Sequence, residues 1–387
     1  MIGAGPAGLA VAAELRRRGE SVIVLESADQ VGASWRGHYD RLHLHTVRWL
    51  SHLPGYRIHR REGSWVHRDG VIRYLDEYAA HHRIDVRTGV TVERIERAAS
   101  DTDVWAVHTS TGTFTARAVV VATGYNHTRS LPDWATHFTG AIEHAADYRN
   151  GKHFEGRHVL VVGSGNTGAE IAVDLAEHGA STVDLAIRTA PHIIRRSVWG
   201  IPTQRAGLFI KRLPLHIGDR FGRAATRFTS GALTRVGMPV PTTGMFSQAA
   251  AGRIPIIDAG LIEAVLSSRV RPVTHVVRAF GDSVELSDGT RLAPHAIVLA
   301  TGYQRGLDDM VGHLGALDDR GVPLVRGAGT QPSAPHLYFI GYTPPISGML
   351  REISLDSRRI ARAINRAKAP PNRTPAFTTP PRLPLPL

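Results

Sequence analysis

The stretch His158-Val159-Leu160-Val161-Val162-Gly163-Ser164-Gly165-Asn166-Thr167-Gly168 runs from an apolar strand-like segment into a glycine turn. Met1-Ile2-Gly3-Ala4-Gly5-Pro6-Ala7-Gly8 repeats that turn at the head of the chain. An apolar helical run follows each turn, then a second short apolar run at 21–25 and at 182–187, closed by Glu26 and Arg188. Strand, glycine turn, helix and strand in this order open a βαβ unit. In such a unit the first glycine makes the tight turn. The second lets the backbone approach a pyrophosphate, and the third lets helix and strand pack closely. The helix behind the turn offers free N–H groups and the positive end of its dipole. One G-x-G-x-x-G is weak evidence. Two with matching flanks predict an α/β fold with two dinucleotide-binding, Rossmann-like domains.

The closing residues differ in charge. Glu26 suits a free ribose 2′-hydroxyl, as in FAD or NAD. Arg188 suits a 2′-phosphate, as in NADPH; the alternative is a solvated surface arginine. Downstream, Val119-Val120-Val121-Ala122-Thr123-Gly124-Tyr125 and Ile297-Val298-Leu299-Ala300-Thr301-Gly302-Tyr303 echo each other, each a buried-strand run ending at a small-residue turn. Each is placed to carry the chain from one nucleotide domain to the other. Short β-like runs at 90–95, 105–108 and 113–116 precede the first echo. Runs at 283–286 and 291–292, around the turn Asp288-Gly289, precede the second. The predicted organisation is an FAD domain at 1–150, an NADPH domain inserted at 151–303, a return to the FAD domain at 304–368, and a proline-rich mobile tail at 369–387.

A length of 387 residues fits about two domains. The chain contains no cysteine, which excludes disulfides, cysteine-ligated metals and thiol nucleophiles. The net charge of +12 rests on arginine, because Lys152, Lys211 and Lys368 are the only lysines. The arginines are scattered and no nucleic-acid motif accompanies them, so no nucleic-acid partner is expected. No apolar run approaches the roughly 18–20 residues of a membrane span, and a cytoplasmic location is expected. Only Met1 and Ile2 precede Gly3, fewer residues than the matching strand of the second unit has, so an upstream extension of the natural chain is expected.

The stretch Phe138-Thr139-Gly140-Ala141-Ile142-Glu143-His144-Ala145-Ala146-Asp147-Tyr148 resembles the identifying sequence of the flavin-containing monooxygenases, F-x-G-x-x-x-H-x-x-x-(Y/W/F), with Phe138, Gly140, His144 and Tyr148 at its fixed positions. Gly32-Ala33-Ser34-Trp35 is similar to a flavin-contacting segment of that family. Tyr39-Asp40-Arg41-Leu42-His43-Leu44-His45 resembles the plant-type indole-3-pyruvate monooxygenases and their bacterial relatives. So do 241–244, 254–260 and 338–342. Across 1–368 the resemblance implies a class B flavin-dependent monooxygenase. In that family NADPH reduces FAD, dioxygen forms a flavin C4a-hydroperoxide, and a small N- or S-nucleophile or a 2-oxo acid is oxygenated. It also implies that Gly3, Gly5, Gly8 and Glu26 hold FAD, that Ser34, Trp35 and Thr46 lie near its pyrophosphate or ring, and that Gly163, Gly165, Asn166, Thr167, Gly168 and Arg188 hold NADPH. His45 is carried over as flavin-proximal only, and the N-terminus of the last helix, near 348–351, as facing the flavin. Residues 46–49 depart from the plant-type pattern, which leaves the substrate open.

The family's chemistry resides in its cofactors, so no catalytic triad is expected. His144 is read as structural, the alternative being a relay of NADPH binding to the flavin site. His43 and His45 alternate along one strand face and His81-His82 are adjacent, but no carboxylate framework supports a metal. The segment 206–228 fits a lid, a dimer contact or an interfacial helix, and a homo-oligomer is compatible with it. The competing functions are an uncoupled NADPH oxidase, a Baeyer–Villiger-type oxygenase and a non-catalytic flavin-binding regulator.

Overall fold

The computed structural model describes residues 1–99, 101–198, 201–204, 218–220, 222, 231–342, 345 and 347–367. The expectations for 206–228, apart from 218–220 and 222, and for the tail 369–387 lie outside those residues. Two parallel sheets organise the chain. In the first, Asp85–Arg87, Ile23–Leu25, Ile2, Val119–Val121 and Leu337–Phe339 lie side by side in that order. Ile2 alone holds the central place. Its N–H donates to the Val120 carbonyl at 3.0 Å and its carbonyl accepts from Ala122 N–H at 2.8 Å. On the other side Leu25 N–H donates to Met1 and Gly3 N–H to Leu25, both at 2.8 Å. Met1, Ile2 and Gly3 thus serve both flanking ladders.

The second sheet orders Arg271–Thr274, Thr182–Ile187, His158–Val162, Ala296–Leu299 and Ala141–His144, every neighbouring pair parallel. Val119–Val121 and Ala296–Leu299 are buried throughout. Continuous apolar runs of this kind belong to parallel strands covered on both faces. Helix α1 (Pro6–Arg16) and helix α2 (Asn166–Glu177) follow the two glycine turns. Helix α3 (Met349–Arg366) turns Leu350, Ile353, Ser357, Ile360 and Ala361 inward, a helical spacing, and packs on α1.

From sequence, residues up to 150 belong to the first domain. Ala141–His144 is instead the edge strand of the second sheet, paired with Ala296–Leu299. Its outer residues are exposed, so it lacks the apolar signature of a buried strand and reads as linker. The chain crosses at Thr128–Arg129 and returns at Tyr303–Gln304, and these two segments pair antiparallel. The first crossing therefore lies some twenty residues before the predicted boundary. A three-stranded antiparallel sheet precedes each crossing: Val92–Ala98, Asp101–Thr109 and Gly112–Ala116 before the first, Val276–Phe280, Ser283–Leu286 and Arg291–Leu292 before the second. Val276–Phe280 is the strand that sequence reading missed; only Val276 and Ala279 point inward.

Candidate dinucleotide sites and the cleft between them

The two glycine loops have matching geometry. Gly3 and Gly163 take φ of +98° and +114°, which L side chains rarely adopt. A methyl on Gly3 would lie 2.7 Å from the Ala122 carbonyl oxygen, and one on Gly163 2.4 Å from that of Ala300. On Gly8 or Gly168 it would lie 1.9 Å from the carbonyl oxygen of Gly3 or Gly163. On Gly5 or Gly165, the N-caps of α1 and α2, it would meet nothing within 4 Å. In each loop two glycines are packed against backbone and one faces open space at a helix N-terminus. That cradle fits a pyrophosphate. The echoed Ala-Thr-Gly-Tyr turns explain themselves here: Ala122 and Ala300 are the backbone partners of the glycine loops.

Around the first loop, the Glu26 carboxylate accepts from Ala4 N–H at 2.6 Å and from Ala28 N–H at 3.0 Å. Gly32 N–H donates to Ala4 at 3.1 Å, which seats the short helix Ala33–Arg36 on the loop. Ser34 is exposed on it. Trp35 packs against the cores of both domains. Tyr342 Oη lies 2.8 Å from Thr123 Oγ1, and Gly341 sits against Ala7. A cleft of about 200 Å³ opens beside them, bounded by Gly327, Gly341, Met349 and Asp356.

Thr46 stands at a neck between the domains. A methyl on Gly348, which has φ of +99°, would lie 2.6 Å from Thr46 Cγ2 and 2.8 Å from Gln204 Nε2. Gln204 donates to the Ser347 carbonyl at 2.7 Å and accepts from Val47 N–H at 3.0 Å. The resemblance put Thr46 and the start of α3 each near the flavin; Gln204, whose partners lie more than 140 residues away in both directions, was missed from sequence.

Around the second loop, Asn166 donates through Nδ2 to the Pro255 carbonyl at 3.2 Å and accepts from Ile257 N–H at 2.7 Å. Its side chain staples the 255–257 segment to α2, and the amide retains a second N–H and a second lone pair. Arg188 stands exposed just after Thr182–Ile187.

The 138–148 motif has a packing explanation. The Phe138 ring folds over Gly140, where a methyl would lie 2.6 Å from ring carbon Cε1. Tyr148, fully buried, donates to Asp174 of α2 at 2.6 Å, and burial raises its phenol far above the usual range. His144 Nδ1 accepts from Ala146 N–H at 3.1 Å, and its ring meets Tyr303 edge-on with centroids 5.1 Å apart. Its buried Nε2 has no hydrogen bond of normal geometry. Burial, with Arg129 nearby, lowers this imidazole below the usual histidine range. The motif thus ties the edge strand to α2 and to the returning crossing.

His45 reaches from the first domain to the second. Its Nε2 is hydrogen-bonded to Glu170 Oε1 of α2, and Tyr39 Oη donates to Oε2 of the same carboxylate at 3.1 Å. Glu170 is 3% exposed. Arg196 lies over the Trp65 ring at 5.1 Å, and among the described residues its buried Nε has no hydrogen-bond partner. Burial lowers the Arg196 guanidinium, opposed by Glu170 and Asp258. His43 bonds the Arg41 carbonyl and meets His67 edge-on. His81 and His82 meet Tyr56 and Tyr78. Among the described residues no group of three or more histidines and carboxylates is arranged for a metal, and no helix is long and apolar enough to cross a membrane. Glu170 and Asp174 were missed from sequence. Two carboxylates four apart within the apolar run of α2 were the signal for them.

Residues 1–201 match the family model described as pyridine nucleotide-disulphide oxidoreductase. With no cysteine in the chain, the dinucleotide part of that description applies and the disulfide part does not. The chain is 33% identical over 352 residues to indole-3-pyruvate monooxygenase YUCCA1 of Oryza sativa subsp. japonica, covering 89% of this chain and 86% of that protein. It shares its fold with the flavin-containing monooxygenase from Stenotrophomonas maltophilia (TM-score 0.71, 22% identity, 95% of this chain and 97% of that one). It also shares it with an oxidized steroid monooxygenase bound to NADP (TM-score 0.72, 20% identity, 94% and 84%). Two intact glycine cradles, the packed 138–148 motif and similarity along nearly the whole chain converge: the chain belongs to the class B flavin-dependent monooxygenases and is an NADPH-dependent flavin monooxygenase with FAD and NADPH as cofactors.

Proposed function

We propose that the first glycine loop holds FAD, the second holds NADPH, and the cleft between them oxygenates an aromatic 2-oxo acid. Gly5 and the N-terminus of α1 take the FAD pyrophosphate, with Glu26 accepting from a ribose hydroxyl. Gly165 and the N-terminus of α2 take that of NADPH, with Arg188 pairing its 2′-phosphate. When bound, the dinucleotide supplies the hydride and the flavin activates dioxygen. Trp35, Thr46, Gln204 and Gly348 close the neck between the sites and exclude water from it. A cytoplasmic setting, where NADPH is the reducing dinucleotide, belongs to this reading.

One observation carries the substrate class: Arg196, its Nε buried and without a partner among the described residues, beside the Trp65 ring. A half-buried cation next to an aromatic face matches a ligand with a carboxylate and a flat apolar body. The indole-3-pyruvate named for the rice relative has both features. The test follows NADPH and oxygen consumption with indole-3-pyruvate and phenylpyruvate, against a tertiary amine and a thioether. Product formation from the 2-oxo acids, with KM raised about tenfold or more by Arg196→Met, supports the reading. Oxygenation of the amine or thioether alone, insensitive to Arg196→Met, refutes it in favour of N- or S-oxygenation.

A further inference from the structure

His45 and Glu170 form a pair that spans the two domains. Glu170 Oε1 faces His45 Nε2, and Glu170 Oε2 accepts from Tyr39. Burial keeps the Tyr39 phenol neutral and therefore a donor. An ionised carboxylate has only acceptors, so both groups facing Glu170 must present a proton. The other charged or titratable groups near this carboxylate are His38, His43 and Arg196. A neutral His45 with Nε2–H committed to Glu170 carries its lone pair on Nδ1. Among the described residues Nδ1 has no hydrogen-bond partner, and the side chain is 22% exposed. His45 immediately precedes Thr46, which packs against Gly348 at the neck.

We propose that Glu170 is a positioning residue that holds His45 as its Nε2–H tautomer, so that Nδ1 accepts a hydrogen bond from an N–H or O–H group of a dinucleotide or substrate bound in the cleft. This rests on the reading of the cleft given above. The carboxylate comes from the second turn of α2, the helix that the second cradle opens. The same contact therefore ties the orientation of the imidazole to the seating of the second domain. A fixed tautomer turns an imidazole into a one-way hydrogen-bonding group, which a solvent-exposed histidine is not.

The test is ring ¹⁵N spectroscopy of histidine-labelled protein, with His45 identified by its loss in His45→Ala. In the wild type the expected signature is the Nε2–H tautomer, with the Nδ1 resonance displaced on addition of FAD, of NADP⁺ or of indole-3-pyruvate. Glu170→Gln, which preserves volume and folding, should give mixed tautomers. It should lower kcat about tenfold with KM for NADPH within about twofold, and it should have no further effect in the His45→Ala background. An Nδ1–H tautomer or a doubly protonated ring in the wild type, an unchanged tautomer in Glu170→Gln, an Nδ1 resonance blind to both cofactors and to indole-3-pyruvate, or additive losses would each overturn the proposal. Failure of the wild type to take up FAD or oxidise NADPH would instead refute the cofactor placement, and the tautomer spectra of the apoprotein read out separately from that.

Discussion

Replacing Gly168 and Gly165 by alanine, one at a time, separates the two jobs that one glycine loop performs. A methyl at Gly168 would sit 1.9 Å from the carbonyl oxygen of Gly163, about 1.5 Å inside ordinary contact. Both partners are backbone of the same strand–turn–helix unit, so no rotamer change relieves the overlap and α2 must move off the sheet. Overpacking of this kind costs about 1–3 kcal/mol, and the backbone setting puts Gly168→Ala near or above 3. For a unit of about 175 residues, the stretch between the crossings at 128–129 and 303–304, that lowers Tm by about 6–12 °C. A methyl at Gly165 meets nothing within 4 Å, and its φ of −82° and ψ of −178° suit any residue. Alanine gains about 0.4–1 kcal/mol there from the unfolded chain and loses a similar amount as an N-cap. Gly165→Ala should leave Tm unchanged within about 2 °C. Its methyl stands where the phosphates approach. Losing one or two charge-assisted backbone hydrogen bonds, at about 1.5–3 kcal/mol each, weakens NADP⁺ binding by about tenfold or more. The assay is thermal unfolding of the FAD-loaded protein together with NADP⁺ titration by calorimetry. Equal destabilisation by the two variants, or unchanged NADP⁺ affinity in Gly165→Ala, would refute the division of labour.

Arg188→Ala should raise KM for NADPH about tenfold or more and leave KM for NADH nearly unchanged; steady-state kinetics with both dinucleotides checks this, and an unaltered preference removes Arg188 from the 2′-phosphate. Tyr148→Phe takes one donor from the buried Asp174 carboxylate, which keeps Gly151 N–H at 2.9 Å. The loss of about 2 kcal/mol should lower the Tm of the second domain by about 4–8 °C, while the rate of flavin reduction by NADPH changes less than about twofold. A collapse of that rate would put the motif's last residue in the chemistry. Burial first, then Arg149 and Arg68, lowers the His38 imidazole from 6.5 to about 4. Below pH 6.5 the unfolded chain therefore binds a proton that the folded chain refuses, and stability falls as pH falls. Urea unfolding should show a loss of about 2 kcal/mol between pH 6.5 and pH 5 from this group, absent in His38→Asn. Parallel pH profiles for the two proteins would rule His38 out.

Both glycine loops were legible because each glycine there meets a demand that a side chain cannot, so residue type and spacing report the geometry directly. The Ala-Thr-Gly-Tyr echoes were visible as strand endings. Their carbonyl contacts with Gly3 and Gly163 were not, since those join segments more than 100 residues apart. Ala141–His144 was misplaced for a different reason. Sheet membership of an exposed edge strand is decided by the partner's ladder and leaves little trace in its own composition. Asn166 follows the second loop's glycines at the right distance for a ligand, yet its hydrogen bonds to a loop ninety residues downstream were not visible in that spacing. Glu170 and Gln204 illustrate the limit most plainly. Each acts by bridging domains, and the hydrogen bonds of such a bridge have no period along the chain.

The pairing of Thr128–Arg129 with Tyr303–Gln304 gives the second domain an entrance and an exit one ladder apart, a separation of about 5 Å between facing residues. A whole folded unit is thus inserted through a doorway no wider than a hairpin turn. Removing everything between the two crossings would leave ends that a few residues could rejoin, with the first sheet unstretched. Domains with adjacent termini are the ones that tolerate insertion and transplantation. In this chain the second domain is architecturally a cassette, and a dinucleotide domain of different preference would fit the same doorway provided it brought its own counterparts of Glu170 and Gln204.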